Sequence, residues 1–88
     1  MKDVKQLTTL EKLNSGGAAY RLNGLVTCLD ARTATEEEIA AIKRLKDDTF
    51  VLAGRPISAY AYAILDVLGV ESYQGDDWMV LDLIKAWK

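Results

Sequence analysis

The 88-residue sequence contains no histidine, one cysteine and one proline. Histidine is the commonest general base and the commonest ligand for transition metals, so its absence disfavours hydrolytic chemistry and most zinc sites. A lone cysteine cannot form an internal disulfide, which excludes the disulfide-stapled secreted domains and favours a reducing, cytoplasmic setting. We therefore expect no enzymatic activity, no metal and no cofactor.

The sequence also lacks an excess of positive charge and any long apolar run. Its 11 Lys and Arg residues and 13 Asp and Glu residues give a net charge of −2, whereas nucleic-acid binding usually needs a clustered basic face. Asp66 and Asp82 interrupt the longest apolar stretches well before the ~20 residues that span a bilayer. The first ten residues carry charges and lack the apolar core of a signal peptide. Nucleic acid and membrane are therefore not the expected partners.

Apolar residues at helical spacing dominate what is present. Half of the residues are hydrophobic and 27% are charged, a composition far from that of disordered chains. No linker divides the sequence, so residues 1–88 are expected to form a single domain. The pattern predicts a compact all-α domain of five helices arranged as antiparallel hairpins.

The first two helices are predicted over residues 3–13 and Ala18–Ala31. Apolar residues recur every third position in the first helix, and glycines 16 and 17 end it. Gly24 lies inside the second helix and costs roughly 1 kcal/mol relative to alanine. It indicates either a close approach by another helix or a weak helix.

The third helix has the clearest start signal. Thr35 and Glu38 have the spacing of a capping box, in which each side chain accepts a hydrogen bond from the other residue's backbone amide. Acidic residues at positions 36–38 and basic residues at 43, 44 and 46 suit the helix dipole. The next segment, residues 49–54, could be a short strand or an apolar loop, because periodicity cannot assign so short a run.

The fourth helix is the most apolar element and is predicted to begin at Pro56 and to lie at the centre. Asp66 is the only charged residue between Pro56 and Val70, and a helix that is apolar on nearly every side is usually surrounded by others. Gly69 is expected to close it in a Schellman motif. The fifth helix is predicted from about residue 76 to the last residue, and its core stripe comprises Val80, Leu83, Ile84 and Trp87.

Residues 35–69 resemble one HEAT-type repeat. Asp48 lies in the turn, as the family's pattern has it. An alanine, a leucine, an aliphatic residue and a glycine occupy the family's inner-helix positions, namely Ala61, Leu65, Leu68 and Gly69. The sequence departs from the family at Ser58, where an arginine is usual, and in its long apolar turn. The resemblance implies stacked helical hairpins and contact with another protein; a plain irregular helical bundle is the alternative.

Five residues are candidates for a protein-binding surface: Trp78, Leu81, Tyr62, Asp66 and Arg55. Trp78 is the strongest, because tryptophan is enriched at binding hot spots and this one lies, with Leu81, off its helix's core stripe. Tyr62 lies opposite the core stripe of the fourth helix, near Asp66. The alternatives are that residues 49–54 or the 70–74 loop cover Trp78 and the protein is a monomer, and that Tyr62 is buried by the fifth helix or by residues 49–54.

The predicted function is a non-enzymatic helical protein-interaction module. Its partner is another protein or a second copy, bound as a weak homodimer through the C-terminal helix, since only one of that helix's apolar faces can meet its own core. The alternative is a small helix-turn-helix DNA-binding regulator, for which the fourth helix offers only Arg55 at its margin. Cys28 is expected to be a small buried hydrophobe, because no histidine is present to activate its thiol.

Overall fold

A computed structural model describes residues 7–88, which contain five α-helices and one two-stranded hairpin. The helices are α1 (Thr9–Leu13), α2 (Ala18–Ala31), α3 (Glu36–Arg44), α4 (Ile57–Val67) and α5 (Trp78–Trp87). A single 3₁₀ turn, Leu45–Asp47, follows α3, and strands β1 (Val51–Leu52) and β2 (Arg55–Pro56) precede α4. The predicted all-α architecture is confirmed, with a minimal hairpin added to it.

Helix α1 begins later than predicted. Thr8 is its N-cap: the Thr8 hydroxyl accepts a hydrogen bond from the Glu11 amide, and the Glu11 carboxylate accepts one from the Thr8 amide. The prediction of helix is therefore wrong at Leu7 and Thr8, and its residues 3–6 lie outside the described residues. Thr8 and Glu11 have the same capping-box spacing as Thr35 and Glu38.

The predicted capping box of α3 is present. The Thr35 hydroxyl accepts from the Glu38 amide at 3.1 Å, and the Glu38 carboxylate accepts from the Thr35 amide at 2.9 Å. These two bonds satisfy amide groups that the helix itself leaves without partners. Helix α3 therefore starts where the local sequence signal places it.

Helix α4 ends in the predicted Schellman motif. Gly69 has a φ of +78°, its amide donates to the Asp66 carbonyl, and the Val70 amide donates to the Leu65 carbonyl, both at 2.9 Å. At the other end, Pro56 is the N-cap and not the first helical residue, with φ −71° and ψ 148°. The predicted start was therefore one residue too early.

Within residues 49–54, only Val51 and Leu52 form a strand, the first of an antiparallel hairpin, and Ala53 and Gly54 form its turn. The segment is therefore part short strand and part loop. Val51 pairs with Pro56 and Leu52 with Arg55. The two turn residues, Ala53 and Gly54, both have positive φ, at 57° and 85°. This is the backbone of a type I′ turn, whose twist matches that of the flanking strands.

Helix α4 lies at the centre of the molecule because two of its faces are buried. One face joins the larger core, which also contains residues of α1, α2 and α3; its α4 members are Ile57, Ala61, Ile64 and Leu65. On the other face, Ala59 and Ala63 pack against Val80 and Leu83 of α5. The small alanine side chains allow α5 to pack close to α4, and this contact determines which face of α5 remains exposed.

Gly24 marks a close approach between α1 and α2. A Cβ atom at this position would lie 3.1 Å from the Leu13 side chain and 3.2 Å from the Leu13 backbone nitrogen. Leu13 is fully buried and belongs to the larger core. Of the two interpretations of this glycine, the close approach is confirmed.

Candidate functional site

Helix α5 presents an apolar face to solvent. Among residues 7–88, Trp78 is the most exposed large apolar side chain, at 67%, and Leu81 is 45% exposed. Val80 and Leu83, on the opposite side of the same helix, are buried against α4. The alternatives in which residues 49–54 or the 70–74 loop cover Trp78 are therefore wrong. We call the exposed stripe of Trp78, Leu81, Asp82 and Lys85 the Trp78 face.

Both ends of α5 are fixed to the rest of the fold. At its start, the amide of the N-cap residue Asp77 donates a hydrogen bond to the Tyr73 hydroxyl, in the loop after α4, at 3.2 Å. At its end, Arg32 Nε donates to the Trp87 carbonyl at 3.1 Å. With Val80 and Leu83 buried between these ends, the helix holds the Trp78 face in a defined orientation.

Arg55 lies beside the Trp78 face. Its Nη2 donates to Asp82 Oδ2 at 2.7 Å, which joins β2 to α5. Asp82 is on the exposed stripe, one residue after Leu81. The structure therefore brings three of the five candidate residues, Arg55, Trp78 and Leu81, to one side of the molecule.

Tyr62 lies on a second surface, against the loop that follows α4. The residue is 36% exposed, and its ring centroid is 5.4 Å from that of Tyr73, with the planes tilted by 59°. The Lys46 ammonium lies 5.7 Å from the Tyr62 ring centroid. A pocket of about 440 Å³ opens here; it is lined by Tyr62, Glu71, Ser72, Tyr73, Gln74 and Gly75. Tyr62 is exposed, so the alternatives in which α5 or residues 49–54 bury it are wrong.

The charged side chains at this pocket are paired with one another. Lys46 Nζ donates to Glu71 Oε1 at 2.9 Å, and Lys43 Nζ lies 3.9 Å from Glu71 Oε2. The hydrogen bond between Glu71 and Lys46 lowers the pKa of Glu71 and raises the pKa of Lys46. Both groups stay ionised at neutral pH, and each already has an opposite charge beside it. These ion pairs join α3 and the turn after it to the loop that follows α4.

Asp66 joins three parts of the structure. Its carboxylate accepts from Lys88 Nζ at 2.6 Å and from the Tyr73 amide at 2.8 Å. The hydrogen bond from Lys88, and then that from Tyr73, lower the pKa of Asp66. The side chain is only 11% exposed. Asp66 therefore positions the loop and α5; it does not present a free carboxylate to a partner.

Cys28 is buried among apolar side chains, as predicted. Burial, and secondarily the nearby Glu38 charge, raise the pKa of its thiol to about 11. The thiol is therefore neutral at physiological pH and a poor nucleophile. In the described part of the chain, no three Cys, Asp or Glu side chains lie close enough together to hold a metal ion.

Two surface features were missed in the sequence. Phe50 and Val51, at the start of the hairpin, are 54% and 59% exposed; their position in an apolar run of unassigned structure was the available signal. The contact between Tyr62 and Tyr73 has no sequence signal, because it depends on the path of the loop between them.

Comparison with known proteins gives no relative: no protein family, no characterised protein and no solved structure matches this chain. The resemblance of residues 35–69 to a HEAT-type repeat therefore stays a prediction. In residues 7–88, none of the helices combines the length and the apolar character needed to cross a membrane.

Proposed function

We propose that this chain is a non-enzymatic helical protein-interaction module that binds its partner through the Trp78 face. The observation that carries the proposal is the 67% exposure of Trp78 on a helix whose other face is built into the core. Exposed apolar patches on soluble domains commonly mark interfaces, and tryptophan is enriched among the residues that dominate binding energy.

The size of the patch favours a weak contact. Covering Trp78 and Leu81 removes on the order of 200 Å² of apolar area from water, worth about 5 kcal/mol at ~25 cal/mol/Å². Association costs an estimated 4–15 kcal/mol in lost translational and rotational freedom. The two apolar side chains therefore need help from the charged residues around them, which makes those charges the determinants of the partner.

A binding role is preferred to catalysis because the titratable side chains with shifted pKa values are buried or already paired within the fold. Within residues 7–88, the groups with shifted pKa values, Cys28, Lys46, Asp66 and Glu71, are engaged by burial or by partners within the fold. Of these four, only Glu71 lines the pocket beside Tyr62, and its carboxylate already accepts a hydrogen bond from Lys46. A cytoplasmic setting belongs to the same proposal and is supported by the single cysteine, which cannot form an internal disulfide.

The helix-turn-helix alternative receives less support from the geometry. That motif joins its helices by a turn of about 3–4 residues. Here a 3₁₀ turn and a hairpin separate α3 from α4. Protein binding through α5 is therefore the better-supported function.

Site-specific photo-cross-linking tests the proposal. A photoreactive phenylalanine analogue replaces Trp78 or Leu81, and in the control it replaces Tyr20, which is 54% exposed on α2. After irradiation in the source cells, mass spectrometry identifies the adducts. We expect specific protein adducts from positions 78 and 81 and none from position 20. Absence of adducts, or the same adducts from all three positions, would overturn the proposal.

A further inference from the structure

We propose that the occupant of the Trp78 face is a second copy of this chain, with the two α5 helices packed antiparallel. This inference rests on the function proposed above and identifies its partner. It starts from the arrangement of the four exposed residues of the face. Their spacings of three, one and three residues place them on one side of the helix, because residues three and four apart are neighbours on a helix surface.

The face is suited to a two-fold axis. Its four positions are symmetric about the midpoint between Leu81 and Asp82, so a two-fold axis through that point matches the face to itself. Leu81 then meets Leu81 of the copy beside the axis. Trp78 meets Lys85 of the copy, and the same pair recurs on the other side of the axis. Such isologous pairing is the commonest form of protein oligomer.

The charges of α5 select the antiparallel orientation. Asp76 and Asp77 lie at its start, and Lys85 and Lys88 lie at its end. Antiparallel pairing brings the acidic end of each helix beside the basic end of the other, and it also opposes the two helix dipoles favourably. Parallel pairing would place like charges together.

Trp78 of one chain and Lys85 of the other are also suited to form a cation–π pair. Lys85 has no ion-pair partner within residues 7–88, and an ammonium over an indole ring is the most favourable of the cation–π pairs. Asp82 approaches Asp82 of the copy across the axis, and the Arg55 bound to each of them offsets that repulsion. The area involved is small, so the dimer is expected to be weak.

Sedimentation of the purified protein tests self-association. The wild type is expected to show a dimer fraction that rises with concentration and falls at high salt. Lys85→Glu removes both cation–π pairs, which raises the dissociation constant by about five- to thirtyfold. Ala86→Glu adds negative charge at the same end of α5 without removing either cation–π pair, and serves as the control for the effect of charge alone. A wild type that stays monomeric at every concentration overturns this inference.

Disulfide trapping tests the orientation. Under mild oxidation, Leu81→Cys is expected to form a disulfide-linked dimer. Lys85→Cys is not, because antiparallel pairing separates its two copies by about 10 Å along the helix, beyond the reach of a disulfide. A mixture of Trp78→Cys and Lys85→Cys chains is expected to form the mixed disulfide. The wild type, with only the buried Cys28, gives the background.

These outcomes separate the inference from the function on which it rests. A dimer trapped through Lys85→Cys alone would show parallel pairing and contradict the proposal, as would the absence of any trapped dimer. If the chain is monomeric but position 78 photo-cross-links to a different protein, the proposed function stands and the second copy is excluded. Circular dichroism of each variant checks that these exposed substitutions leave the fold intact.

Discussion

Gly24 lies where α2 packs tightly against Leu13 of α1, and its missing side chain is what permits the contact. Alanine in its place would normally favour a helix by roughly 1 kcal/mol. Here the added Cβ would lie 3.2 Å from the backbone nitrogen of Leu13, and a backbone atom in a packed core has little freedom to move.

We therefore expect Gly24→Ala to lower the free energy of unfolding by about 1–3 kcal/mol, the usual cost of overpacking. Urea denaturation followed by circular dichroism measures it. Gly16→Ala is the control, because a Cβ at Gly16 meets no atom within 4 Å. Equal stability for the two variants would contradict the packing explanation.

Cys28 gives a second prediction at this scale. Burial and a pKa of about 11 leave its thiol both covered and protonated near neutral pH. We expect the native protein to react with a thiol-specific reagent only as fast as it unfolds, and the denatured chain to react at once. Rapid modification of the folded protein would show that the site is open.

At the residue scale, the sequence was better at predicting which side chains are exposed than at predicting which residues form ion pairs. Helical periodicity was sufficient to place Trp78 and Leu81 away from the core, because the spacing of Val80 and Leu83 defines the buried side of α5. Periodicity was not sufficient to predict the ion-pair partners of Arg55 or Asp66. Their partners, Asp82 and Lys88, are distant in the sequence and are brought near only by the packing of α5.

At the scale of the elements, the start of α3 depends on the side chain of Thr35. Loss of the Thr35 hydroxyl would leave the Glu38 amide without its partner at the start of the helix. Thr35→Ala is therefore expected to destabilise the protein by about 0.5–2 kcal/mol. Thr33→Ala, an exposed threonine outside the cap, is the matched control. Equal thermal unfolding midpoints would mean that the cap contributes nothing to stability.

The hairpin carries backbone strain at Ala53. This residue has a φ of 57°, a left-handed conformation that costs an L-residue with a Cβ roughly 1–2 kcal/mol. Asparagine adopts it more readily and favours this position of a type I′ turn. We expect Ala53→Asn to stabilise the protein by up to about 1 kcal/mol, measured by urea denaturation. Ala53→Val should do the opposite, and a stabilising valine would contradict the assignment of strain.

The elements also show where local sequence signals stop being sufficient. Capping at Thr35 and the helix end at Gly69 were predictable, because each depends on residues within one turn. The hairpin was not, since its strands have two residues each and its turn is Ala-Gly in place of the more diagnostic Asn-Gly. The start of α1 was predictable in principle from Thr8 and Glu11, but the apolar repeat before it favoured an earlier start.

At the scale of the whole molecule, α4 organises the fold and Asp66 fixes the last helix to it. The central position of α4 was predictable, because its sequence is apolar on both of the faces that are buried. The contacts of the Asp66 carboxylate with Lys88 and Tyr73 were not predictable, because they join α4 to the following loop and to the residue after α5, and no local pattern encodes them. These contacts help to hold α5 in place, and the Trp78 face depends on them.

The contacts of Asp66 with Lys88 and Tyr73 predict that the stability of the protein depends on pH. The hydrogen bonds from Lys88 and Tyr73 lower the pKa of Asp66 in the folded state below its ordinary value of 3.8. A carboxyl with a depressed pKa in the folded state stabilises the protein above its unfolded pKa, and that contribution is lost as pH falls through the lower, folded value. Asp66→Asn should therefore be less stable than the wild type at neutral pH, by no more than about 1 kcal/mol, since Lys88 is exposed.

Urea denaturation of both proteins, from neutral pH to well below 3.8, measures this difference. We expect the difference in the free energy of unfolding to be constant at higher pH and to shrink only once the pH falls below the ordinary pKa of Asp66. The other carboxyls titrate equally in both proteins, so their effects cancel in this difference. Asp76→Asn changes an exposed carboxylate that has no ion-pair partner within residues 7–88, so its stability at neutral pH should match that of the wild type. A difference between wild type and Asp66→Asn that persists unchanged at the lowest pH would show that the asparagine acts through packing and not through the lost charge.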